Sequence, residues 1–455
     1  MNAGSTVEPA FATLLARYER FGVDLGLERI EGLLMALGHP HTQVPIVHVA
    51  GTNGKGSVCA YLSSILAQAG YRVGRYTSPH LVSWCERICI NEQPISADDL
   101  LAVLQQVEAA IDPEQPCPTQ FEVITAAAWL YFARQAVDIA VVEVGLGGRL
   151  DATNVCDRPL VTLITSLSRE HWQRLGPTLA DIAREKAGIL KPGCPAVIGP
   201  LPAEAAAVVQ KKIADLGCPA IWPTPAQLLE SGWAEFSGTQ TAEAGLTAPE
   251  LRSLQYPLPF PGPHQLANSA LAIATLQLLQ DQGWNISDEA IVSGMAQARW
   301  PGRLQWVTWP DNQGNLHKLL IDGAHNPAAA RALRAYVDQV LSSLRKDESK
   351  GQPPAVTWLM GMLSTKDHAD IFRELLRPGD RLHLVPVPGH STAAPEELSA
   401  IATVICPDLA GCQIYDDLAE GLVAIAQNQS PLTVLCGSLY LVGHFFATQQ
   451  PAKAS

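Results

Sequence analysis

The feature that most constrains this chain is a seven-residue turn, Gly51-Thr52-Asn53-Gly54-Lys55-Gly56-Ser57, set between two apolar segments. Before it, Pro45–Ala50 (PIVHVA) reads as a short buried strand; after it, Gly54–Ala69 carries apolar residues at helical spacing. A strand, a glycine turn and a helix start together aim backbone N–H groups at one point, where phosphate oxygens fit. The lysine supplies a point charge, and the serine hydroxyl can ligate Mg²⁺. The general P-loop spacing asks for glycine where Val49 stands, and Gly56 separates Lys55 from Ser57, so the turn is a variant. Its plainer reading is a glycine turn with a solvated lysine, which the flanking strand and helix disfavour. A guanine-specific Asn-Lys-x-Asp element is absent, because Thr365-Lys366-Asp367 lacks the intervening residue. That argues against a GTPase switch.

The rest of the chain repeats the same alternation. Helical patterns fit Pro9–Phe21, Leu27–Leu37, Ala97–Ile111 and Glu122–Gln135, with apolar strand-like runs at Ile139–Val144 and Leu160–Thr165. Thr178–Leu190 reads as helix, Ala196–Ile198 as strand and Pro202–Leu216 as helix. The order predicts an α/β fold on a parallel sheet. Pro223–Pro263 changes character and reads as loops or a short antiparallel excursion. Helices resume at His264–Gln280 and Ser287–Ala298, and Arg299–Arg303 (RWPGR) reads as a domain junction. After it come a strand at Leu316–Ile321, a helix at Pro327–Leu344 and a strand at Ala355–Met360. Leu382–Val385 and Leu432–Leu435 complete a second, smaller parallel sheet, with a surface loop at Arg345–Pro354. The expected domains are 1–298 and 304–455, joined by 299–303.

Composition narrows the function classes. With 31 Lys and Arg against 44 Asp and Glu the net charge is −13, and there is no basic run. This disfavours nucleic acid and anionic membranes as partners and leaves small molecules. Hydrophobic residues make up 47%, enough for large cores. Ten cysteines contain no C-x-x-C pair, so zinc-ribbon and thioredoxin readings lack support. The first twenty residues lack a signal-peptide pattern, and no run of about 18 apolar residues occurs. A cytoplasmic monomer is the expectation.

Four further positions could carry chemistry. Glu143 ends a buried strand, where an unpaired carboxylate is costly and where open α/β sheets bind ligands. It suits Mg²⁺ ligation, or else a buried ion pair. His171 follows the Leu160–Thr165 strand; a lone loop histidine is more often structural or solvated than a ligand. Glu185-Lys186 lies on a helix, where such a pair is usually a solvated face. Asp322-Gly323-Ala324-His325-Asn326-Pro327 joins strand to helix, with Asn326 as N-cap and Pro327 at the first helical position. It is a well-capped helix or a place for an anion or ribose.

Taken in order, these segments resemble the folylpolyglutamate synthase/dihydrofolate synthase family of the Mur ligase superfamily. The resemblance rests on Gly51–Ser57, Thr77-Ser78-Pro79-His80-Leu81, Glu86-Arg87-Ile88, Thr119 with Phe121-Glu122, and Glu143–Asn154 (EVGLGGRLDATN). It continues through Leu175–Thr178, Glu185–Ile189, His264-Gln265 with Asn268, Pro301-Gly302-Arg303, Asp322–Pro327, Lys366-Asp367 and Gly437–Gly443. It implies a P-loop-type ATPase domain followed by a smaller Rossmann-like domain. The implied activity is an ATP-dependent ligase that joins L-glutamate to dihydropteroate and to the glutamate tail of reduced folates, through an acyl phosphate. Tail extension alone, a cell-wall precursor ligase and a silent nucleotide-binding regulator are the alternatives.

By position, the resemblance implies that Gly51, Thr52, Asn53, Gly54, Lys55, Gly56 and Ser57 cradle ATP. Ser57 and Glu143 hold Mg²⁺, and His171 a second Mg²⁺. Lys186 matches a lysine that CO₂ carboxylates. Asn268 meets adenine, Arg303 the phosphates and Asp322 the ribose. Thr77, Ser78, Pro79, His80 and Asp151 face the folate, and His325 and Ser438 the glutamate. Two positions depart from the family pattern: Glu170-His171 stands where Asp-His is common, and His444 where an acidic residue is common.

Overall fold

The computed structural model describes residues 4–19, 24–240, 251–311, 313–345, 355–427 and 430–449. The chain falls into two compact units, one of residues 1–259 with 264–299, the other of 260–263 with 300–455.

The first unit is built on an eight-stranded sheet. Its strands are β1 (Ile46–Ala50), β2 (Val73–Tyr76), β3 (Ile88–Ile90), β4 (Gln93–Pro94), β5 (Ile139–Glu143), β6 (Val161–Ile164), β7 (Ala196–Ile198) and β8 (Ala220–Ile221), in spatial order β4-β3-β2-β5-β1-β6-β7-β8. From β2 to β8 the neighbours are parallel; β3 and β4 pair antiparallel at one edge. β1 and β5 are buried along their whole length, as strands covered on both faces must be. That is why PIVHVA and IAVVE read as continuous apolar runs. The helix Lys55–Gln68 is buried from Ser57 through Leu66, so it shows little amphipathic contrast. The expected helix at Thr178–Leu190 is shorter: α-helix covers Leu179–Lys186 and a 3₁₀ turn, Ala187–Ile189, finishes it. The stretch 223–263 holds a three-stranded antiparallel sheet of β9 (Gln227–Leu228), β10 (Trp233–Phe236) and β11 (Leu254–Pro257). Residues 241–250 of that stretch lie outside the described ones.

The second unit has a six-stranded sheet of β12 (Gln305–Pro310), β13 (Leu316–Ile321), β14 (Val356–Met360), β15 (Arg381–Leu384), β16 (Gly411–Ile414) and β17 (Leu432–Cys436), ordered β12-β13-β17-β14-β15-β16. A wholly parallel second sheet is corrected here, because β12 pairs antiparallel with β13 as a hairpin. β12 is an edge strand with alternate residues exposed, and its sequence QWVTWP has no continuous apolar run to betray it. β16 escaped for the same reason, being half-exposed at the other edge. The expected loop 345–354 lies outside the described residues, apart from Arg345, which ends the helix Pro327–Arg345. Among the described residues no helix is long and apolar enough to cross a membrane. All ten cysteines are free.

Candidate active site

The glycine turn sits at the carboxyl end of β1 and is gripped from the end of β6. Thr165 Oγ1 and Ser166 Oγ donate to the Asn53 carbonyl at 2.7 and 2.9 Å, and Thr52 N donates to the Ser166 carbonyl at 2.7 Å. Glycine is required by close approach: a Cβ on Gly51 would lie 1.9 Å from Thr165 Oγ1, and one on Gly54 2.4 Å from Asn268 Oδ1. Gly54 has φ 89° and caps the helix Lys55–Gln68 without any side-chain hydrogen bond. The helix start therefore presents bare N–H groups and a positive dipole end, which is anion-binding geometry.

Three charged side chains converge on this turn. Lys55 Nζ donates to the carbonyls of Gly51 and Thr52 at 3.2 and 3.1 Å and lies 3.8 Å from Glu143 Oε1. Glu143, at the end of β5, is buried, and its Oε2 accepts from Ser78 N at 3.3 Å. Lys186, 4% exposed, donates to the Gly51 carbonyl at 2.7 Å. Burial pushes the Lys186 ammonium down to about 7, the nearby Lys55 charge adds to this, and Glu170, Asp151 and Glu143 oppose it. Lys186 is thus no solvated helix face.

Glu170, which the sequence marks only as a departure from the family pattern, is a further charged member of this site. It is buried and electrostatically coupled to Lys186, whereas the neighbouring His171 side chain stays 44% exposed, 3.8 Å from the Glu170 carboxylate. His171 has φ 50° and precedes the short helix Trp172–Leu175. Among the described residues no three His, Cys, Asp or Glu side chains gather as a metal cage. The Glu143 carboxylate beside the turn suits Mg²⁺, which takes few protein ligands and completes its shell with phosphate oxygens and water.

The loop after Glu143 is stitched to the Lys186 helix. Asn154 Nδ2 donates to the carbonyls of Arg149 and Gly188 at 3.1 and 3.2 Å, and Arg149 N donates to the Glu185 carbonyl at 2.8 Å. Here Gly148 and Gly188 allow backbone contact. A Cβ on Gly148 would sit 2.9 Å from the Glu185 and Lys186 carbonyls, and one on Gly188 2.3 Å from Arg149 Cβ. Asp151 is buried beneath this loop. Its oxygens accept from Leu146 N at 2.7 Å, Thr153 N at 3.0 Å and Thr153 Oγ1 at 2.5 Å, and burial raises its carboxyl above the usual range. These contacts give Asp151 a part in holding the loop. His48 on β1 supports it through Thr153 Oγ1 at 2.9 Å, and burial lowers His48 to about 3, so its ring is neutral.

Thr77, Ser78, Pro79 and His80 form the turn after β2, with a cis Ser78–Pro79 peptide. Arg75 donates to Thr77 Oγ1 at 3.2 Å, and Arg87 Nε to His80 Nδ1 at 2.9 Å. The Glu86 carboxylate gathers the N–H groups of Leu81, Val82 and Ser83 at 2.8 to 2.9 Å. The Glu86-Arg87 pair is thus the scaffold of this turn, and Ser78 N links it to Glu143.

In the second unit, Asp322, His325, Arg303 and Ser438 gather at the carboxyl ends of β13 and β17. Asp322 accepts from Leu304 N and Ala324 N, both at 2.8 Å, and His325 Nδ1 bonds the Gly323 carbonyl at 2.8 Å. Asn326 Oδ1 caps the helix Pro327–Arg345 through Ala329 N at 2.9 Å. A Cβ on Gly323 would lie 2.5 Å from Arg303 Nη1, and Gly437 N donates to the Ala324 carbonyl at 3.1 Å, bringing Ser438 alongside.

Known proteins place this arrangement. The Mur ligase middle domain matches residues 49–276, and the C-terminal domain of dihydrofolate synthetase matches 305–448. The dihydrofolate synthase/folylpolyglutamate synthase of Escherichia coli is 35% identical over 428 residues, 93% of this chain and 90% of the relative. The chain belongs to the folylpolyglutamate synthase/dihydrofolate synthase family. Among solved members, Mycobacterium tuberculosis folylpolyglutamate synthase complexed with ADP and AMPPCP aligns at TM-score 0.81 and 27% identity over 99% of both chains. A bifunctional folylpolyglutamate synthase/dihydrofolate synthase with Mn, AMPPNP and L-glutamate bound aligns at TM-score 0.75 and 31% identity, covering 96% of this chain and 97% of that one. The family's Mur-type fold, with its nucleotide-binding and C-terminal domains, is the fold described above.

Proposed function

We propose that this protein is an ATP-dependent amide ligase that joins L-glutamate to dihydropteroate and extends the glutamate tail of reduced folates. The observation that carries the reading is that Lys55 and Lys186 both donate to the Gly51 carbonyl, with Glu143 3.8 Å from Lys55, beside an uncapped helix start. A carboxylate is a poor electrophile. Its oxygen attacks the γ-phosphorus of ATP, ADP leaves, and an acyl phosphate results. The glutamate amine then adds to the acyl carbon, and the tetrahedral intermediate collapses with loss of phosphate. Both anions must approach each other, so positive charge at the turn offsets their repulsion.

In this reading the N–H groups of Gly51–Ser57 and Lys55 bind the phosphates. Ser57 and Glu143 would hold a divalent cation, which supplies Lewis-acid charge neutralisation on the phosphates. His171 serves a second Mg²⁺, with Glu170 as its neighbour. Asn268 meets adenine, Arg303 the phosphates and Asp322 the ribose. His325 and Ser438 take the glutamate, and Thr77–His80 with Asp151 form the folate side. A Lys186 amine held near neutrality is nucleophilic toward CO₂, giving a carbamate and a released proton. That chemistry turns a buried cation into an anion. The working units are 1–298 and 304–455 about the junction 299–303, and the protein acts as a cytoplasmic monomer.

The test is ADP release by purified protein with Mg-ATP, L-glutamate and dihydropteroate, against the same mixture without dihydropteroate. Dihydropteroate-dependent release is expected. Release only with a reduced folate would reduce the activity to tail extension, and no release with either acceptor from folded protein would remove the ligase reading.

A further inference from the structure

Arg75 on β2 is 7% exposed, and burying a guanidinium is costly unless its donors are matched. Its partners are spread around the planar fork. Nε lies 3.4 Å from Glu92 Oε1, and Nη1 donates to Thr77 Oγ1 at 3.2 Å. Nη2 meets the Sγ of Cys89, the cross-strand partner on β3, at 3.3 Å. Glu92 Oε1 also accepts from Ser63 Oγ at 2.5 Å, so the pair is anchored on the helix Lys55–Gln68 as well.

The backbone is bent to deliver Glu92. Asn91 and Glu92 form the two-residue link between β3 and β4, with φ 47° and 64°. Such hairpin links favour Asn-Gly, because both residues take left-handed backbone. Asn91 suits this and ties the link to β2: its N donates to the Val73 carbonyl at 2.9 Å, and its Oδ1 accepts from Val73 N at 2.7 Å. A glutamate at the second position carries backbone strain that glycine would not, and that strain sets a carboxylate on Arg75. A well-packed apolar pair would hold β2 to the helix as firmly, so cohesion alone leaves the charged pair unexplained. What the fork adds is direction. Thr77 follows β2, with its hydroxyl held by Arg75 and its N–H by the Arg87 carbonyl at 3.0 Å. The next N–H, on Ser78, reaches Glu143 Oε2 at 3.3 Å.

We infer that Arg75 and Glu92 are positioning residues that hold the Thr77–His80 turn and, through the Ser78 N–H, the Glu143 carboxylate in the geometry that receives the divalent cation. The inference rests on the proposed role of Glu143 as a metal ligand. Hydrogen-bond partners of a metal ligand typically contribute about 10- to 100-fold in metal affinity. The Arg75–Glu92 pair acts one step further out, through Thr77, so the lower end of that range is expected.

The experiment measures Mn²⁺ binding to the ADP complex by paramagnetic resonance, ADP binding with Mn²⁺ and with EDTA by calorimetry, and kcat and KM for ADP release. Wild type is compared with Arg75→Met, Glu92→Gln, Thr77→Val and the double variant Arg75→Met with Thr77→Val, each well below its melting transition. Arg75→Met is expected to weaken Mn²⁺ binding about tenfold and to lower kcat, with binding of metal-free ADP and KM for L-glutamate near wild type. Thr77→Val removes the acceptor that Arg75 holds, so the double variant is expected to bind Mn²⁺ no more weakly than the more impaired single variant. A wild-type Mn²⁺ affinity in Arg75→Met, whatever its melting temperature, overturns the inference, and so do losses that add in the double variant. Should Arg75→Met not fold, Glu92→Gln keeps the shape of the carboxylate and removes its charge. A smaller Mn²⁺-specific loss that vanishes in the Thr77→Val background is expected there, and its absence overturns the inference equally. If wild type itself shows no metal-dependent ADP binding, the metal role of Glu143 fails first and the inference falls with it.

Discussion

Two turns of this molecule have the same local plan and opposite finish. Each leaves the buried carboxyl end of a strand and opens a long helix: Gly51–Gly54 between β1 and Lys55–Gln68, and Asp322–Asn326 between β13 and Pro327–Arg345. The first leaves its helix start without a side-chain cap and is held from behind, through Thr165 and Ser166. The second has a side-chain cap: Asn326 takes Ala329 N of its helix, while Asp322 takes Ala324 N within the turn and Leu304 N from before β12. An uncapped helix start keeps its donors and dipole for an anion. A capped one has used one of them, and side chains such as Arg303 and His325 stand beside it. The first turn is a binding surface made of backbone; the second is a frame that holds side chains out.

Substitutions can break this contrast, and the largest effect belongs to the charged member of the first turn. Lys55→Ala should abolish ligase turnover by about a thousandfold or more while circular dichroism and melting stay near wild type. An active Lys55→Ala protein would show that the backbone amides alone suffice.

Gly54→Ala forces a Cβ to 2.4 Å from Asn268 Oδ1 at a positive φ, and should cost about 2–3 kcal/mol in urea unfolding along with nucleotide affinity. Asp322→Ala orphans two buried N–H groups, Ala324 N in the second turn and Leu304 N before β12, and should cost about 1–3 kcal/mol, read as a lower urea midpoint. Unchanged stability would mean that the second turn is not self-supporting.

A pH series sharpens the comparison from the other side. Lys186 is pushed down to about 7 in the folded protein from its ordinary 10.5. Between those values the unfolded chain carries a proton that the folded chain has released, so this group's contribution to stability rises with pH. Lys186→Met should flatten the stability–pH curve from pH 7 to 10. An unaltered slope would place the lysine proton elsewhere. The smallest effect is expected from Asn326→Ala, about 1 kcal/mol, with no change in ADP affinity of the first turn.

Much of this was legible from residue order. The β1 turn, the Glu143 strand end and the Asn326-Pro327 helix start all declare themselves by type and spacing, because backbone geometry imposes those residues locally. The hidden parts depend on contacts made across long separations. β12 and β16 lie at the two edges of their sheet and are partly exposed, so neither carries a continuous apolar run. Lys186 looks like half of a surface ion pair until burial against the Gly51 carbonyl is seen. Gln265 and Glu170 belong to segments matched to the family, but nothing in their order tells of the Gln265 bond to Asn268 or of the Glu170 charge near Lys186. Asp151 matches a substrate position of the family, whereas its hydrogen bonds in the structure close its own loop.

The glycine contact between Arg149 and Gly188 has a consequence for how such a protein can change over generations. Two stretches forty residues apart meet there with no room for one methyl group, and the lysine beside them is set by that gap. A gain of bulk on either side is not absorbed by a change of rotamer, since the opposing atoms are the Glu185 and Lys186 carbonyls on one side and the main chain and Cβ of Arg149 on the other. This corner is closed to gradual variation, and any drift in acceptor preference must be sought in neighbourhoods lined by side chains.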